Sequence, residues 1–173
     1  MAISLYDISV SNYLQALGAI SGVLKKGAEF AKEKNLDLAE IVQTRLRPDM
    51  KPFQFQVISV FHHSWGAITG IREGVFSPPP SMPELDYAGL QGLVDKAARE
   101  LQRVSREEID GIEGNAMKFK AGDFEIPFTA ENFILSFSLP NFYFHAATTY
   151  DILRMAGVPL GKMDVLGKMR VGT

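Results

Sequence analysis

The sequence predicts an all-α fold, a four-helix bundle with a short extra helix and a small β-hairpin. Four long segments place apolar residues at the three- and four-residue spacing of an amphipathic helix. Capping residues precede several of them, and one short segment alternates on both sides of a Gly-Asp turn instead. A chain of 173 residues is ordinarily one domain, so we expect a single domain over residues 1–173.

The first two predicted helices are bounded by capping residues. Ser4 and Asp7 have the spacing of a capping box, and the apolar stripe that follows ends near Asn35. Asp37 then opens a short helix that we expect to end at about Leu46, because a proline follows two residues later.

The second long helix is predicted from Phe53 to about Arg72. His63 falls a quarter-turn from its apolar face, beside small residues, and is expected in a groove or at the surface. The residues predicted to share the buried face are Phe55, Ile58, His62 and Trp65.

The second half of the chain is predicted to contain a proline-rich loop, a helix, a hairpin and the last helix. The loop covers 76–83, and Asp86 caps a helix that reaches Leu101. The hairpin covers 117–126. The last helix is expected from about residue 129 to residue 156, bent by its internal Pro140, with an irregular tail after it.

The composition disfavours several classes of protein. The net charge is −2 and no basic cluster is present, so nucleic acid is not an expected partner. No apolar run is long enough to span a membrane, and the first residues lack the basic start of a secretory signal. The chain has no cysteine, which excludes disulfides and a cysteine nucleophile and fits a reducing compartment. We therefore expect a cytoplasmic protein.

The last helix contains the most informative polar residues. Wound as a helix, the segment turns His145 toward the core, with Asn141 one turn before it and Thr149 one turn after it. His62 is predicted to face the interior from another helix, and a cross-helix histidine pair is how bundles build metal sites. Neutral imidazole is a ligand for zinc and nickel, among other metals.

The pattern around these histidines leaves two interpretations open. A divalent site needs at least three protein ligands, and Asn141 and Thr149 occupy the positions where a second histidine on this helix would stand. His145 is therefore either part of a metal site or a core histidine with satisfied hydrogen bonds. The polar residues beside it either line a pocket or bond within and between helices.

Several segments resemble those of a known superfamily. Residues 145–157, His-Ala-Ala-Thr-Thr-Tyr-Asp-Ile-Leu-Arg-Met-Ala-Gly, are similar to the last bundle helix of the DinB/YfiT-like metalloenzymes. Residues 4–7 (Ser-Leu-Tyr-Asp), 45–50 (Arg-Leu-Arg-Pro-Asp-Met), 139–145 (Leu-Pro-Asn-Phe-Tyr-Phe-His) and 157–167 resemble hallmark segments of one uncharacterised branch, a domain of unknown function.

The resemblance implies a DinB-like bundle of up-down-down-up type that forms a homodimer. In metal-binding members, one ligand histidine lies on the second bundle helix and two come from a His-x-x-x-His pair on the last. Here His62, or else His63, stands in the second helix, and His145 matches the later member of the pair. Asn141 replaces the earlier member.

We therefore expect a small-molecule pocket in the bundle core, with Tyr13, Trp65 and Thr149 lining it. The catalytic residues would be His145 and Asn141, the asparagine orienting the histidine. If a divalent metal such as zinc or nickel is present, His62 and His145 would bind it for hydrolysis or group transfer. The alternative is a non-catalytic bundle without metal, which binds a ligand or forms a dimer.

Overall fold

The computed structural model describes residues 3–80 and 83–172, most of which are helical. In that part of the chain the helices are α1 (Leu5–Ile8), α2 (Val10–Lys34), α3 (Leu38–Gln43), α4 (Phe53–Phe61), α5 (Ala67–Glu73), α6 (Tyr87–Leu101), α7 (Arg106–Asp110), α8 (Ala130–Phe133), α9 (Leu139–Met155) and α10 (Lys162–Leu166). Two π-helical turns interrupt long helices: π1 (His62–Gly66) joins α4 to α5, and π2 (Ile134–Ser138) joins α8 to α9. The strands are β1 (Val75–Phe76), β2 (Ala116–Ala121) and β3 (Phe124–Thr129).

The amino-terminal helix begins and ends where the capping residues predict. The Ser4 side chain accepts from the Asp7 backbone, and Asn35 closes α2 in the left-handed conformation at φ 56°. The predicted single helix is nevertheless two helices. Ser9 has φ −110° and ψ −84°, which separates the short α1 from α2.

Of the four residues predicted to share the buried face of the long helix formed by α4, π1 and α5, only Ile58 is buried. The fully buried face of this helix follows the spacing of Val57, Val60, Ala67 and Ile71. Phe55, His62 and Trp65 are only half-buried. The segment is apolar on almost every side, so its hydrophobic pattern does not determine which side faces the core.

The last long helix contains the predicted irregularity at Pro140. The ring cannot donate a backbone hydrogen bond, and π2 ends two residues before it. The irregularity predicted at Pro140 is therefore present as the π-helical turn π2. Thr129 caps the start of α8, and Gly157, at φ 92°, follows the end of α9.

The long helices pack in pairs around one apolar core. α2 contacts α6 and α9, and α4 contacts the same two helices. Tyr87 of α6 reaches across to α2, where its hydroxyl donates to the Leu24 carbonyl at 2.9 Å. No helix within residues 3–80 and 83–172 is both long and apolar enough to cross a membrane.

The hairpin belongs to a three-stranded sheet in the order β1-β2-β3. β2 and β3 form the predicted antiparallel hairpin, and Phe119 lies opposite Ile126. β1 adds a parallel partner, pairing Val75 with Lys118. The predicted loop 76–83 therefore begins after Phe76, and two of its residues, 81 and 82, lie outside the described part of the chain.

The carboxyl-terminal tail is more ordered than predicted. α10 lies against α2, and Lys26 binds Asp164 at 2.6 Å. The Gln15 amide donates to the Leu166 carbonyl at 3.1 Å. Gly167 comes so close to Ala19 that a Cβ there would lie 2.9 Å from the Ala19 methyl carbon. A glycine at this position lets the tail pack closely on α2.

Candidate functional site

The chain's three histidines cluster where π1 meets α9. The ring centroids of His63 and His145 are 5.9 Å apart, and the two rings are nearly parallel at 18°. His62 lies 5.5 Å from His63 on its other side. Phenylalanine rings surround the cluster: Phe76 and Phe137 contact His63, and Phe55 and Phe144 contact His145.

Gln56 of α4 holds His145 in a defined orientation. Its amide nitrogen donates to the Lys51 carbonyl at 2.9 Å, so its oxygen Oε1 faces His145. His145 Nδ1 lies 2.7 Å from that oxygen and must therefore be the protonated nitrogen. Nε2 is left with a lone pair, and it has no hydrogen-bond partner within the described residues. Burial lowers the pKa of His145 to about 4, which keeps the ring neutral at pH 7.

His63 is the most constrained of the three histidines. Only 8% of its surface is exposed, and Nδ1 is buried with no hydrogen-bond partner among residues 3–80 and 83–172. Burial lowers its pKa to about 3, and the charges that His62 and His145 would carry when protonated lower it further. A buried nitrogen without a partner is uncommon in folded proteins and often marks a bound water, ion or ligand.

The structure exchanges the predicted places of the two neighbouring histidines. His63, predicted in a groove or at the surface, is the one that contacts His145. His62 is half-buried, and its Nε2 lies 2.8 Å from the Ser77 carbonyl oxygen. With Trp65, His62 lines a groove of about 370 Å³. The Arg72 guanidinium lies over the Trp65 ring, 5.7 Å from its centroid.

Three other predicted site residues make bonds inside the helical core. The Asn141 side-chain nitrogen donates to the Phe137 carbonyl at 2.7 Å, so this amide does not orient His145, and Gln56 does so instead. The Thr149 hydroxyl donates to the His145 carbonyl at 2.9 Å. The predicted pocket walls Tyr13 and Thr149 are both fully buried, with no surface open to solvent.

Tyr13 belongs to a hydrogen-bond chain that joins three helical segments. Its hydroxyl donates to Ser138 Oγ at 2.9 Å, and Ser138 Oγ donates to the His63 carbonyl at 2.8 Å. In a regular α-helix the Ala67 N–H would bond to that carbonyl, but in π1 it donates to Ser64. The π turn thus makes the His63 carbonyl available to a side chain of the opposite helix.

We expect Ser138→Ala to cost more stability than Tyr13→Phe. The Tyr13 change removes one hydrogen bond and leaves Ser138 bonded to His63, so we expect a loss of about 1 kcal/mol. The Ser138 change leaves a buried hydroxyl and a buried carbonyl without partners, so we expect about 3 kcal/mol. Urea unfolding of both variants and of the double variant checks this order. Equal losses of unfolding free energy in the two single variants would contradict the hydrogen-bond chain from Tyr13 through Ser138 to His63.

The histidines do not form a complete site for a divalent metal. Free imidazole nitrogens on His63 and His145 offer two ligands, but zinc sites use at least three protein ligands. The described ranges hold no group of three or more His, Asp or Glu side chains that could bind one ion. The Asn141 amide nitrogen is bound to its own helix. These donor atoms therefore do not fit a resident zinc or nickel ion. The Nε2 atom of His62 lies instead against the Ser77 carbonyl oxygen, at 2.8 Å.

The family follows from comparison with known proteins. A family model described as a domain of unknown function, DUF1993, matches residues 5–166. The chain belongs to the DUF1993 family. Among solved structures, a DinB family member from Shewanella denitrificans is similar to it, with 25% sequence identity, a TM-score of 0.81, and coverage of 98% of this chain and 95% of that one. No curated protein matches it.

The comparisons confirm the predicted family. They identify no reaction, so the chemistry of the site has to be inferred from its geometry. This DUF1993 protein is a DinB-like protein that is mostly helical, with a small three-stranded sheet. Gln56 was not predicted, because neither of the two glutamines in this apolar helix gives a signal of burial. Gln56 lies four residues before Val60 and seven before His63, so the correct choice of buried face would have revealed it.

Proposed function

We propose that this DUF1993 protein binds a small molecule beside His145 and that His145 exchanges a proton with it. The bond between His145 Nδ1 and Gln56 Oε1, at 2.7 Å, is the observation that supports this role. It fixes the tautomer that leaves Nε2 as a base, and a base must be oriented before it can act. The lowered pKa keeps His145 unprotonated at neutral pH, although it also makes the ring a weaker base than a free imidazole.

A neighbouring groove supports the proposal by offering a place for the molecule. Phe55, but not His145 itself, lines a groove of about 490 Å³, and the Phe55 ring centroid lies 5.8 Å from that of His145. Lys51 lines the same groove, and its carbonyl anchors the Gln56 amide. The volume falls within the roughly 300–1,000 Å³ of ordinary small-molecule sites. Arg45 adds a second cation to the groove wall.

In this proposal each residue has a separate role. His145 accepts the proton at Nε2 and returns it, and Gln56 is a positioning residue that holds the ring through Nδ1. Phe55 packs against the substrate, and no metal is required. We also propose that the long helices form the up-down-down-up four-helix bundle and that the chain acts as one domain in the cytoplasm. The pairwise packing of α2 and α4 with α6 and α9 supports that arrangement.

An activated ester tests the acid–base role, with 4-nitrophenyl acetate as the probe. We expect hydrolysis at pH 7 to fall at least about tenfold in His145→Ala. His62→Asn is the matched control, because it removes an imidazole that contacts neither Gln56 nor His145 and should leave the rate unchanged. Gln56→Leu should lower the rate, and nitrogen NMR should show that His145 no longer keeps one tautomer.

The outcomes separate the two candidate functions. Equal rates in wild type and His145→Ala, with both proteins folded by circular dichroism, would overturn the acid–base role. That result would favour the alternative, a non-catalytic bundle in which the histidines only pack and bond within the core.

A further inference from the structure

A second groove lies on the opposite side of the last helix from the histidines, beneath the carboxyl-terminal tail. It has a volume of about 410 Å³. Its floor is apolar and comes from α2, α9 and α10: Ala16, Ile20, Ala146, Ala147 and Val165. Four residues with polar groups also line it: Asn12, Gln15, Tyr143 and Arg170. A mostly apolar lining with a few polar groups is the usual form of a small-molecule site.

The tail is a fixed wall of this groove. Lys26 holds Asp164, and Gln15 holds the Leu166 carbonyl. Gly167 packs directly on Ala19, where a larger residue would not fit. These contacts bring Arg170 back across the first turns of α2.

Two neutral side-chain amides fix the orientation of the Arg170 guanidinium. Its Nη2 donates to Asn12 Oδ1 and its Nε donates to Gln15 Oε1 at 3.2 Å. Both amides donate their own nitrogens to backbone carbonyls, of Ile8 and Leu166, so their oxygens must face the guanidinium. The contacts use two of the five guanidinium N–H groups.

Arg170 has no ion-pair partner within the described part of the chain. Lys168 adds a second cation, since it lines an adjoining groove together with Arg170. The remaining N–H groups on Nη1 and Nη2 form the fork that binds a carboxylate through two parallel hydrogen bonds.

We propose that this groove is a binding site for an amphipathic monocarboxylate. The carboxylate pairs with Arg170 and the apolar body lies along Ile20, Ala146 and Val165. An uncharged molecule with the same body would fill the floor but leave the guanidinium fork unpaired. The carboxylate therefore gives the site its preference.

Octanoate and octan-1-ol are matched probes for this site, because they differ only in the head group. We expect octanoate, titrated at millimolar concentration into ¹⁵N-labelled protein, to shift the amide signals of residues 16–20 and 143–147. It should bind about tenfold more tightly than octan-1-ol. The octanoate affinity should also fall as salt is added, because Arg170 is exposed.

Three variants assign the binding to this groove. Arg170→Gln should weaken octanoate about tenfold and leave octan-1-ol unchanged. Ala147→Leu fills the groove from an exposed position and should weaken both probes. Arg103→Gln removes a surface arginine that pairs with Glu100 elsewhere, and it should change neither. Equal affinity for the two probes, or octanoate binding that persists in Arg170→Gln, would overturn the proposal. So would an absence of shifts in wild type.

Discussion

Gly27→Ala is expected to lower the free energy of unfolding by about 3 kcal/mol, whereas Gly22→Ala on the same helix should raise it by about 1 kcal/mol. A Cβ at Gly27 would lie 2.3 Å from the Tyr87 hydroxyl oxygen and 3.1 Å from a Leu153 methyl carbon. The hydroxyl would have to move, and it would lose its buried bond to the Leu24 carbonyl. A Cβ at Gly22 meets nothing within 4 Å, so only helix propensity acts there.

Urea unfolding of the two variants measures the difference. Gly18→Ala is a second control, since a Cβ at Gly18 also meets nothing within 4 Å. Tyr87→Phe should recover part of the loss in the Gly27→Ala background, because it removes the atom that clashes. If Gly27→Ala were as stable as Gly22→Ala, then Tyr87 would not be packed against α2.

Acidification from pH 7 to pH 5 is expected to lower the free energy of unfolding by about 4 kcal/mol through His63 and His145. Burial also lowers the pKa of His62, which adds to this loss. The folded pKa values of His63 and His145, about 3 and about 4, lie below the unfolded value of 6.5. The unfolded chain therefore binds protons below pH 6.5 while the folded chain does not. Stability is fully present above pH 6.5 and falls as the pH drops toward the folded pKa values.

Denaturant unfolding at pH 7, 6 and 5 measures this slope. His63→Phe removes one of the three imidazoles with a lowered pKa, so the loss of stability between pH 7 and pH 5 should be about 2 kcal/mol smaller than in wild type. That comparison of slopes holds even if the variant is less stable at every pH. A stability that stays level from pH 7 to pH 5 would contradict the burial of the two imidazoles.

Local chemistry was enough to predict where most of the helices begin. Ser4, Asp37, Asp86 and Thr129 each accept a backbone N–H at the start of a helix, as their positions indicate. These signals depend on residues two or three apart and need no tertiary information. The β-hairpin is predictable for the same reason, since its turn and its alternation are local.

Tertiary packing determines three features that the local sequence pattern does not predict: which histidine contacts His145, the partner of Gln56, and the strand β1. The α4–π1–α5 helix is apolar on most sides, so the choice between His62 and His63 depended on which neighbours it meets. Gln56 has a partner only because α9 brings His145 to it. β1 is two residues long, too short for any alternation, and it exists because β2 lies beside it.

The wide turn π1 also affects how relatives should be aligned with this chain. A π turn holds one residue more than an α turn, so a relative with an uninterrupted helix aligns only if one gap is placed within residues 62–66. The position of that gap decides whether His62 or His63 shares a column with the relative's histidine. Residue counting along the helix cannot make that choice, whereas superposition on the contact with His145 can.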